Sequence, residues 1–524
     1  MPVKSFLFVV LLSVSLWASA DCGQPGTTAL QDIAVGETVT VEAVVTGAFP
    51  GADGLRGFYL GSESAGIFVY APQLSAAESP QVNQRWRLDA VAGQYRGRKQ
   101  LQQVEALQFC GEQILPPELL SFAEGPPAFE PFRDRLVRID ETLTISGNYL
   151  LGRYGSLDLA LHGRAFAPNS GVQGGELLDL VLDDGRYRRD VRPVLFLDDE
   201  GVRRAGDELL SVTGILTHAF GQWRVHPVAP PKFRSSNPRP GPLPGWEGIR
   251  AVNFNVENYF IDLGGRGAST EAEFQRQRQR LAKSLRSLDG DVLALHEIQN
   301  KPAAVDDLLA LLNAGQPLSK QYAAARVERQ PAALRSVIFY RPARLTLEAI
   351  DQQIDAAHPR DPVAAMLRDE NGYVFWVVAA HYKSRSRCPE TGDVNLGEGC
   401  WAQRRNRQSE AIAEWISPWL DADLPVLILA DLNAHAQETA VSHLQATGMT
   451  DLLAAYVPAE QRYTYVFRGR AAYLDYALAS DNLLNRIDNV RLWPVNADEP
   501  FYLVDEGDSV WRASDHDPIV IDLR

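Results

Sequence analysis

Apolar and polar residues alternate through the first part of the chain. Between residues 38 and 110, every second position is apolar in short runs, and glycine-containing turns separate these runs. The clearest run contains Val39, Val41, Ala43 and Val45. Because a period of two is typical of strands with one buried face, we predict a five-stranded OB-like β-barrel over residues 21–118.

A later stretch repeats this scheme. The segment Val44-Val45-Thr46-Gly47 is echoed by Leu143-Thr144-Ile145-Ser146-Gly147, and Gly93-Gln94-Tyr95 is echoed by Gly221-Gln222-Trp223. Internal similarity of this kind indicates a repeated structural unit. We therefore predict a second OB-like barrel of five strands over residues 128–228.

The composition and the hydrophobic pattern of the chain change after the second repeat. Seven prolines fall at positions 227, 230, 231, 238, 240, 242 and 244, which is typical of a stiff linker, here placed at residues 229–245. Beyond it, strand-like apolar runs alternate with helical segments, so residues 246–524 are predicted to form one layered domain of α and β elements. Its clearest helix is 271–288, where Thr270 and Glu273 match a capping box.

The first 20 residues have the pattern of a signal peptide. Lys4 precedes the apolar run at residues 6–17, and Ala18-Ser19-Ala20 matches a cleavage site. The alternative, a membrane anchor, is disfavoured because the run is short, and no later segment has the ~18 apolar residues of a membrane span. We expect a secreted protein, extracellular or periplasmic, without stable membrane association.

The net charge limits how the protein could bind nucleic acid, and the cysteines indicate disulfides. The net charge is −15, from 51 basic and 66 acidic residues in 524, which excludes binding to polyanions through overall charge. Nucleic-acid affinity would need a local basic surface. Four cysteines allow three pairings. Export favours disulfides, and we favour Cys22–Cys110 and Cys388–Cys400 because each pair brackets one region.

Polar residues with catalytic chemistry lie at or just past the ends of predicted strands in the last domain. They are Asn255, Glu297, His381, Asp431, Asn433, Asp475, Asp515 and His516. Each alone is usually a cap, a turn residue or a satisfied core residue, and His296 is interpreted in that way. Together they favour hydrolysis of a phosphate ester, because oxygen ligands suit Mg²⁺ or Mn²⁺ and a histidine oriented by a carboxylate suits acid–base catalysis.

Six short segments resemble a known family. They are residues 253–260, 295–298, 381–384, 431–433, 473–475 and 514–518. In this order they are similar to the endonuclease/exonuclease/phosphatase superfamily, which has the deoxyribonuclease-I-like fold. Residues 266–268, 399–401 and 496–500 narrow the resemblance to bacterial secreted extracellular nucleases, which often carry OB-type domains upstream. The implied fold class is multidomain, with two N-terminal all-β OB-like barrels followed by a four-layered α/β-sandwich over residues 246–524.

The resemblance also implies a role for each residue. Asn255, Glu297 and Asp515 would bind Mg²⁺ or Mn²⁺, with Ca²⁺ as a further candidate. Asp431 would position or activate the water, and Asn433 would hold the phosphate. His516 would contact the phosphate while paired with Asp475, and His381 would be the second catalytic histidine.

Several basic residues are candidates for contacts with phosphates. They are Arg266, Lys383, Arg385 and Arg405. For about half of the basic residues in these regions, a solvated helix face is an equally good interpretation. In the first barrel, Tyr95, Arg96, Arg98 and Lys99 are candidates for binding single strands. The alternative is that the barrels are spacers or bind glycans or other partners.

The leading hypothesis is an exported metal-dependent nuclease that acts on DNA with little sequence specificity. RNA is an alternative substrate, and endonuclease and exonuclease action both remain open. A second reading keeps the fold and changes the substrate to a lipid, as in a sphingomyelinase, or to a phosphate monoester. A third is a non-catalytic binding protein on this fold, which the complete set of polar residues disfavours.

Overall fold

The computed structural model describes residues 22–327, 332–505 and 509–524. The predicted signal peptide, residues 1–20, lies outside these ranges. Within them, no helix combines the length and the apolar character that crossing a membrane requires.

The first five strands form a closed barrel in the order β1-β2-β3-β5-β4. They are β1 (Thr38–Phe49), β2 (Gly57–Gly61), β3 (Gly66–Tyr70), β4 (Gln84–Tyr95) and β5 (Arg98–Glu112). Alternate residues of β1, including Val39, Val41 and Val45, pack in its core, as the period of two predicts. Cys22 and Cys110 form a disulfide that joins the chain before β1 to the end of β5. The five-stranded barrel is confirmed.

The second repeat forms an eight-stranded sheet rather than the five strands predicted. Its elements are β6 (Glu118–Leu119), β7 (Arg135–Ile139), β8 (Leu143–Gly147), α1 (Leu151–Tyr154), β9 (Ser156–Leu161), β10 (Glu176–Asp183), β11 (Glu208–Ala219), β12 (Gln222–Pro227) and β13 (Lys232–Arg234). The pairings β8-β9-β10-β12-β11-β8 make a closed circuit with the order of the first barrel, including one parallel pair at the equivalent place. The additional strands arise because β7 and β13 also pair with β11, and β6 pairs with β7.

Two further six-stranded sheets follow, in the orders β16-β17-β15-β14-β27-β26 and β18-β19-β20-β21-β25-β22. The strands are β14 (Ile249–Tyr259), β15 (Val292–Gln299), β16 (Ala323–Ala325), β17 (Leu334–Tyr340), β18 (Leu345–Gln352), β19 (Val363–Asp369), β20 (Val374–His381), β21 (Val426–Asp431), β22 (Thr450–Asp451), the hairpin β23 (Tyr465–Phe467) and β24 (Arg470–Ala472), β25 (Asp475–Ala479), β26 (Ile487–Leu492) and β27 (Ile519–Leu523). The helices are α2 (Glu271–Leu288), α3 (Pro302–Asn313), α4 (Ala402–Asp421), α5 (Thr439–Gln445), α6 (Leu452–Tyr456) and α7 (Asp481–Leu484).

The two six-stranded sheets pack face to face between helices. In β14, Val252 and Phe254 join a core with α2 and α3, whereas Ala251 joins a core with the second sheet. Helices α4 and α5 cover the outer face of that second sheet, for example through Ile412 and Val441. The result is a stack of helices, sheet, sheet and helices, in which the alternate residues of β14 facing the second sheet point into the middle of the stack.

A buried ion-pair cluster joins the second barrel to this stack. Asp498 forms an ion pair with Arg164 at 2.9 Å, and Arg204 pairs with both Asp498 and Glu499. Arg239, from the proline-rich segment predicted to be a linker, donates to Glu499 at 2.6 Å. The barrel and the proline-rich segment are therefore docked on the last domain through desolvated charges.

We expect Arg204→Met to lower the free energy of unfolding by about 3 kcal/mol, because it leaves two buried carboxylates short of a partner. Urea unfolding at pH 7 measures this change. Arg188→Met is the matched control, because the Arg188–Asp53 pair is exposed on both sides and contributes little. Equal stability of the two variants would contradict the expectation.

Candidate active site

Three polar residues lie side by side in one cross-strand row of the second sheet. His381 at the end of β20 pairs in register with Asp431 at the end of β21. Asp431 in turn pairs in register with Asp475 at the start of β25. Because strand ends hold side chains rigidly, the row presents an imidazole and two carboxylates at one edge of the sheet.

The first sheet brings its own residues to the same edge. Asn255 on β14 donates through Nδ2 to Asp431 Oδ2 at 3.0 Å, which joins the two sheets at the site. Glu297 follows on β15, and its Oε1 lies 4.0 Å from His381 Nε2. The residues predicted from two different regions of the sequence therefore meet at this edge of the two sheets. We call the space around Asn255, Glu297, His381, Asp431 and Asp475 the cleft.

The strands are irregular where they carry these residues. The register of β14 shifts between Asn255 and Tyr259, and that of β15 shifts against β17 between Leu295 and Ile298. Glu257, Asn258 and Glu297 have left-handed backbones, with φ of 53°, 51° and 70°. Such irregularities re-aim side chains and concentrate at functional sites. Here they turn Glu257 and Glu297 towards the cleft.

One buried amide clamps the two sheets directly behind the row. Asn253 donates through Nδ2 to the carbonyls of Ala430 and Tyr476, both at 3.0 Å, and its Oδ1 contacts His296 Nε2 at 2.7 Å. His296 Nδ1 contacts Ser336 Oγ at 2.8 Å. His296 is thus a satisfied core histidine, as interpreted from the sequence, and burial lowers its pKa to about 3.

His516 is held by a carboxylate. Its Nδ1 lies 2.6 Å from Asp475 Oδ2, which also accepts a hydrogen bond from Thr464 Oγ1 at 2.6 Å. Burial alone would lower the pKa of His516, but Asp475 and Asp515 outweigh it and raise the pKa well above 6.5. The ring of Tyr465 stacks on the imidazole at 4.8 Å. The ring of His516 is therefore fixed by Asp475, and its surroundings favour the charged imidazolium.

His381 has the opposite electrostatic setting. Burial and the nearby Arg360 guanidinium hold its pKa well below 6.5, so the ring is neutral. Its Nε2 lies 3.3 Å from Asp431 Oδ2, and among the described residues its buried Nδ1 has no hydrogen-bond partner. Arg360 donates to the carbonyls of His381 and Tyr382, which fixes the end of β20.

Carboxylates crowd the space between the two histidines. Burial and Asp515 raise the pKa of both Glu257 and Glu297, and burial and Asp475 raise the pKa of Asp431. Buried acids that share one site resist simultaneous ionisation, and a bound cation relieves this repulsion. Crowding of this kind is what a divalent metal site requires.

Two separate groups of residues bear on metal binding. Atoms of Asp431, Asp475 and His516 lie within 4.8 Å of one another. In that group, however, Asp475 and His516 already bond to each other. The predicted ligands Asn255, Glu297 and Asp515 carry oxygen donors, which suit Mg²⁺ or Mn²⁺, and the Glu257 carboxylate, which the sequence did not single out, interacts with Asp515 and Glu297 and could contribute a further oxygen. The donor set fits a hard divalent cation.

The remaining predicted residues differ in how free their side chains are to contact a substrate. Asn433 donates its backbone N–H to Asp431 Oδ1 at 2.9 Å, and its amide lies beside the carbonyl of Tyr382. Arg266 is exposed, and its charge acts on both His381 and Arg360. Lys383 lies 4.6 Å over the ring of Trp401, and burial together with Arg360 lowers its pKa to about 8.

Two of the arginines predicted to contact phosphates form hydrogen bonds within the protein instead. Arg405 is fully buried and donates to the carbonyls of Cys400 and Glu398, because it supports the loop closed by the Cys388–Cys400 disulfide. Nη1 of Arg385 donates to both carboxylate oxygens of Glu438, at 2.6 and 2.7 Å. Arg405 therefore cannot reach a substrate, and Arg385 could do so only by leaving its partner.

A family model describes this arrangement. The model of the endonuclease/exonuclease/phosphatase family matches residues 252–516, which span every residue of the cleft named above. The chain belongs to the endonuclease/exonuclease/phosphatase family. The resemblance seen in the short sequence segments is confirmed, and members of this family are typically divalent-metal-dependent hydrolases of phosphate esters.

Solved structures of similar fold cover the same share of the chain. The endonuclease/exonuclease/phosphatase from Bacteroides vulgatus is 15% identical, over 53% of this chain and 98% of that one, with a TM-score of 0.37. The human Nocturnin catalytic domain with bound sulfate is 17% identical, over 53% and 94%, with a TM-score of 0.36. D. rerio TDP2 complexed with single strand DNA product is 15% identical, over 52% and 98%, with a TM-score of 0.37. A comparison with curated proteins found no match.

Three contributors to this family site escaped sequence reasoning. Glu257 was visible as an acid directly after an apolar strand, but only the bulge in β14 shows that it turns into the cleft. Asn253 was visible as a polar residue inside a buried strand, which is itself a signal because buried amides need partners. Tyr465 lies outside every segment that carried the family resemblance, and its stacking on His516 depends on the tertiary fold.

We expect Asn253→Leu to lower the free energy of unfolding by roughly 3 kcal/mol, because three buried hydrogen bonds are lost at about 1 kcal/mol each. The change should also lower activity, since the clamp lies one or two residues from Asn255, Glu297, Asp431 and Asp475. Chemical unfolding measures the first effect. Unchanged stability would show that the sheets do not depend on this amide.

We expect Asp475→Asn to lower the pKa of His516, because burial would then oppose the charged ring with less compensation. The folded-state pKa is raised in the wild type, so the stability from this pair is present below about pH 6.5 and is lost as pH rises through the raised value. Histidine NMR titration of the metal-free protein measures the shift. A His516 pKa that is the same in both proteins would contradict this account.

Proposed function

We propose that the protein is an exported, divalent-metal-dependent nuclease that hydrolyses phosphodiester bonds of DNA with little sequence specificity, with RNA as a second candidate substrate. The observation that carries this proposal is the cross-strand row of His381, Asp431 and Asp475, which meets Asn255 of the other sheet and holds His516 through Asp475. The imidazolium of His516 and the neutral ring of His381 face a cluster of buried carboxylates. This combination suits an anionic ester that must be bound, attacked by water and cleaved.

The protein residues divide this work. Glu297, Asn255 and Asp515 would hold Mg²⁺ or Mn²⁺, with Glu257 beside them, and Ca²⁺ is a further candidate. When bound, the cation would supply charge neutralisation at the phosphate and the leaving oxygen.

Asp431 is the proposed acceptor of the proton from the attacking water, because its raised pKa brings the carboxylate near the operating pH of a general base. The bond from the Asn433 N–H fixes one of its oxygens, and the Asn255 amide fixes the other. The Asn433 side chain is proposed to hold a phosphate oxygen without adding charge.

His516 is proposed to donate from Nε2 to the phosphate, because Asp475 occupies its Nδ1 and keeps the ring charged. His381 is proposed to position Asp431 and the substrate through its neutral Nε2. Arg266 and Lys383 are proposed to meet neighbouring phosphates of the strand. Contacts of this kind position a nucleic acid without reading its sequence.

The upstream regions fit an exported nuclease. We propose that residues 21–118 and 128–228 are OB-type units, that residues 229–245 connect them to the catalytic unit at 246–524, and that residues 1–20 direct export. Closed five-stranded circuits of equal order support the OB type. The two disulfides support an oxidising compartment.

A membrane-active enzyme of this fold would need an exposed apolar or aromatic segment, and one candidate, residues 501–503, is packed against the second barrel. Tyr502 and Leu503 pack in the core of the second barrel, and Phe501 contacts the ring of Tyr149 at 5.0 Å. An insertion loop must be exposed to meet a bilayer. This favours a nuclease over a sphingomyelinase.

The test uses residues 21–524 with supercoiled plasmid and labelled single strands, in Mg²⁺ or Mn²⁺ and in EDTA. We expect cleavage only with metal, and a loss of roughly 100-fold or more in Glu297→Gln and His516→Ala. His162→Asn is the control, because His162 is an exposed histidine outside the cleft and asparagine tolerates its left-handed backbone. Nicking of closed circles would identify endonuclease action.

Two kinds of result would contradict the proposed nuclease function or redirect it to another substrate. No cleavage of DNA or RNA by the folded, metal-loaded protein would overturn the proposal. Metal-dependent release of phosphate from p-nitrophenyl phosphate, or hydrolysis of sphingomyelin, would then identify one of the same-fold alternatives.

A further inference from the structure

The two barrels place equivalent hairpin turns next to each other. Strands β4 and β5 of the first barrel are joined through Arg96 and Gly97, and strands β11 and β12 of the second are joined through Phe220 and Gly221. Arg96 Cζ lies 5.4 Å from the ring centroid of Tyr95, and it also lies 6.0 Å from that of Phe220 on the other barrel. We call Tyr95, Arg96 and Phe220 the paired-turn patch.

The residues of this patch are poor choices for the turns they occupy. Both central positions of each turn have positive φ, with 50° and 81° at Arg96 and Gly97 and 55° and 79° at Phe220 and Gly221. Two-residue hairpins of this kind favour Asn-Gly or Asp-Gly, and a bulky residue with positive φ is an outlier. Phe220 therefore adds backbone strain where asparagine would relieve it.

Packing does not explain the choice either. The side chain of Phe220 is 71% exposed and that of Tyr95 is 52% exposed. Arg224, which lies 5.3 Å from the Phe220 ring, is paired with Asp183. Arg96 is exposed, and within the described part of the chain no carboxylate lies within 4.0 Å of it. The neighbouring Arg98 and Lys99, by contrast, are committed to Asp134 and to the carbonyl of Ile33.

Two exposed rings around an unpaired guanidinium match the chemistry of an unpaired nucleic-acid strand. Bases without a partner strand present their faces for stacking, and the adjacent phosphate pairs with a cation. A duplex hides those faces, and a neutral glycan would make no use of the charge of Arg96. The chain carries a net charge of −15, so a local cation is the feature that can attract a polyanion here.

We propose that the paired-turn patch is a binding site for single-stranded nucleic acid, separate from the catalytic cleft. The proposal takes its class of ligand from the proposed nuclease function. The rings of Tyr95 and Phe220 stack on bases, and Arg96 pairs with a phosphate between them. Because one turn comes from each barrel, the site exists only when the two barrels are packed together.

The experiment measures binding of a fluorescein-labelled oligo-dT strand to residues 21–524 in EDTA at low salt, by fluorescence anisotropy. The variants are Phe220→Asn and Arg96→Asn, each of which creates the Asn-Gly pair that the turn prefers. We expect each to bind at least 5-fold more weakly, while thermal unfolding shows equal or higher stability. Tyr187→Asn removes an exposed aromatic residue elsewhere and should bind like the wild type.

Three results would overturn the proposal. The two patch variants could bind as tightly as the wild type, Tyr187→Asn could lose as much affinity as they do, or soluble starch could displace the oligonucleotide, which would identify a glycan site. The nuclease proposal is judged separately, by metal-dependent cleavage of plasmid by the wild type. Patch-dependent binding without cleavage would contradict the nuclease alone, and cleavage without patch-dependent binding would contradict the patch alone.

Discussion

The arrangement of the candidate site depends on the distance between two sheets, and the buried Asn253 amide, together with the Asn255–Asp431 hydrogen bond, holds that distance. Asn253 reaches from the first sheet to two carbonyls of the second, and its oxygen contacts His296 on the neighbouring strand. Each residue that it holds lies next to a residue of the cleft: Ala430 before Asp431, Tyr476 after Asp475 and His296 before Glu297. A fully satisfied buried network fixes one geometry, because any slip leaves desolvated polar groups without partners.

A second set of buried polar contacts extends this constraint to the barrels. Asp498 and Glu499 hold the arginines that dock the second barrel, and Asn496 in the same loop donates to the carbonyl of His516 at 2.7 Å. Asp517 accepts from the backbone of Asn496 at 2.7 Å. The loop that carries His516 is therefore braced from the barrel side. The upstream region is part of the scaffold of the candidate site.

Patterns that repeat along the chain were readable from the sequence, and features that depend on tertiary packing were not. Alternation revealed the first barrel, and the echo at Gly221 revealed the second, but the pairing of β7 and β13 with β11 has no local signature. Polar residues at strand ends predicted the candidate site because buried polar groups need partners or a bound ion, and the structure brings several of them to one edge of the two sheets. The burial of Arg405 was hidden, since an arginine on a helix looks the same in sequence whether it faces solvent or supports a loop.

The two histidines of the cleft show how burial and neighbours act together. Both rings are buried, so nearby charges act on them with little screening by water. Burial, reinforced by the Arg360 guanidinium, holds the pKa of His381 well below 6.5. At His516, Asp475 and Asp515 outweigh burial and raise the pKa well above 6.5. The charge of each histidine therefore depends on the residues around it as much as on the imidazole itself. The strand register fixes this arrangement, because it places His381, Asp431 and Asp475 in one row.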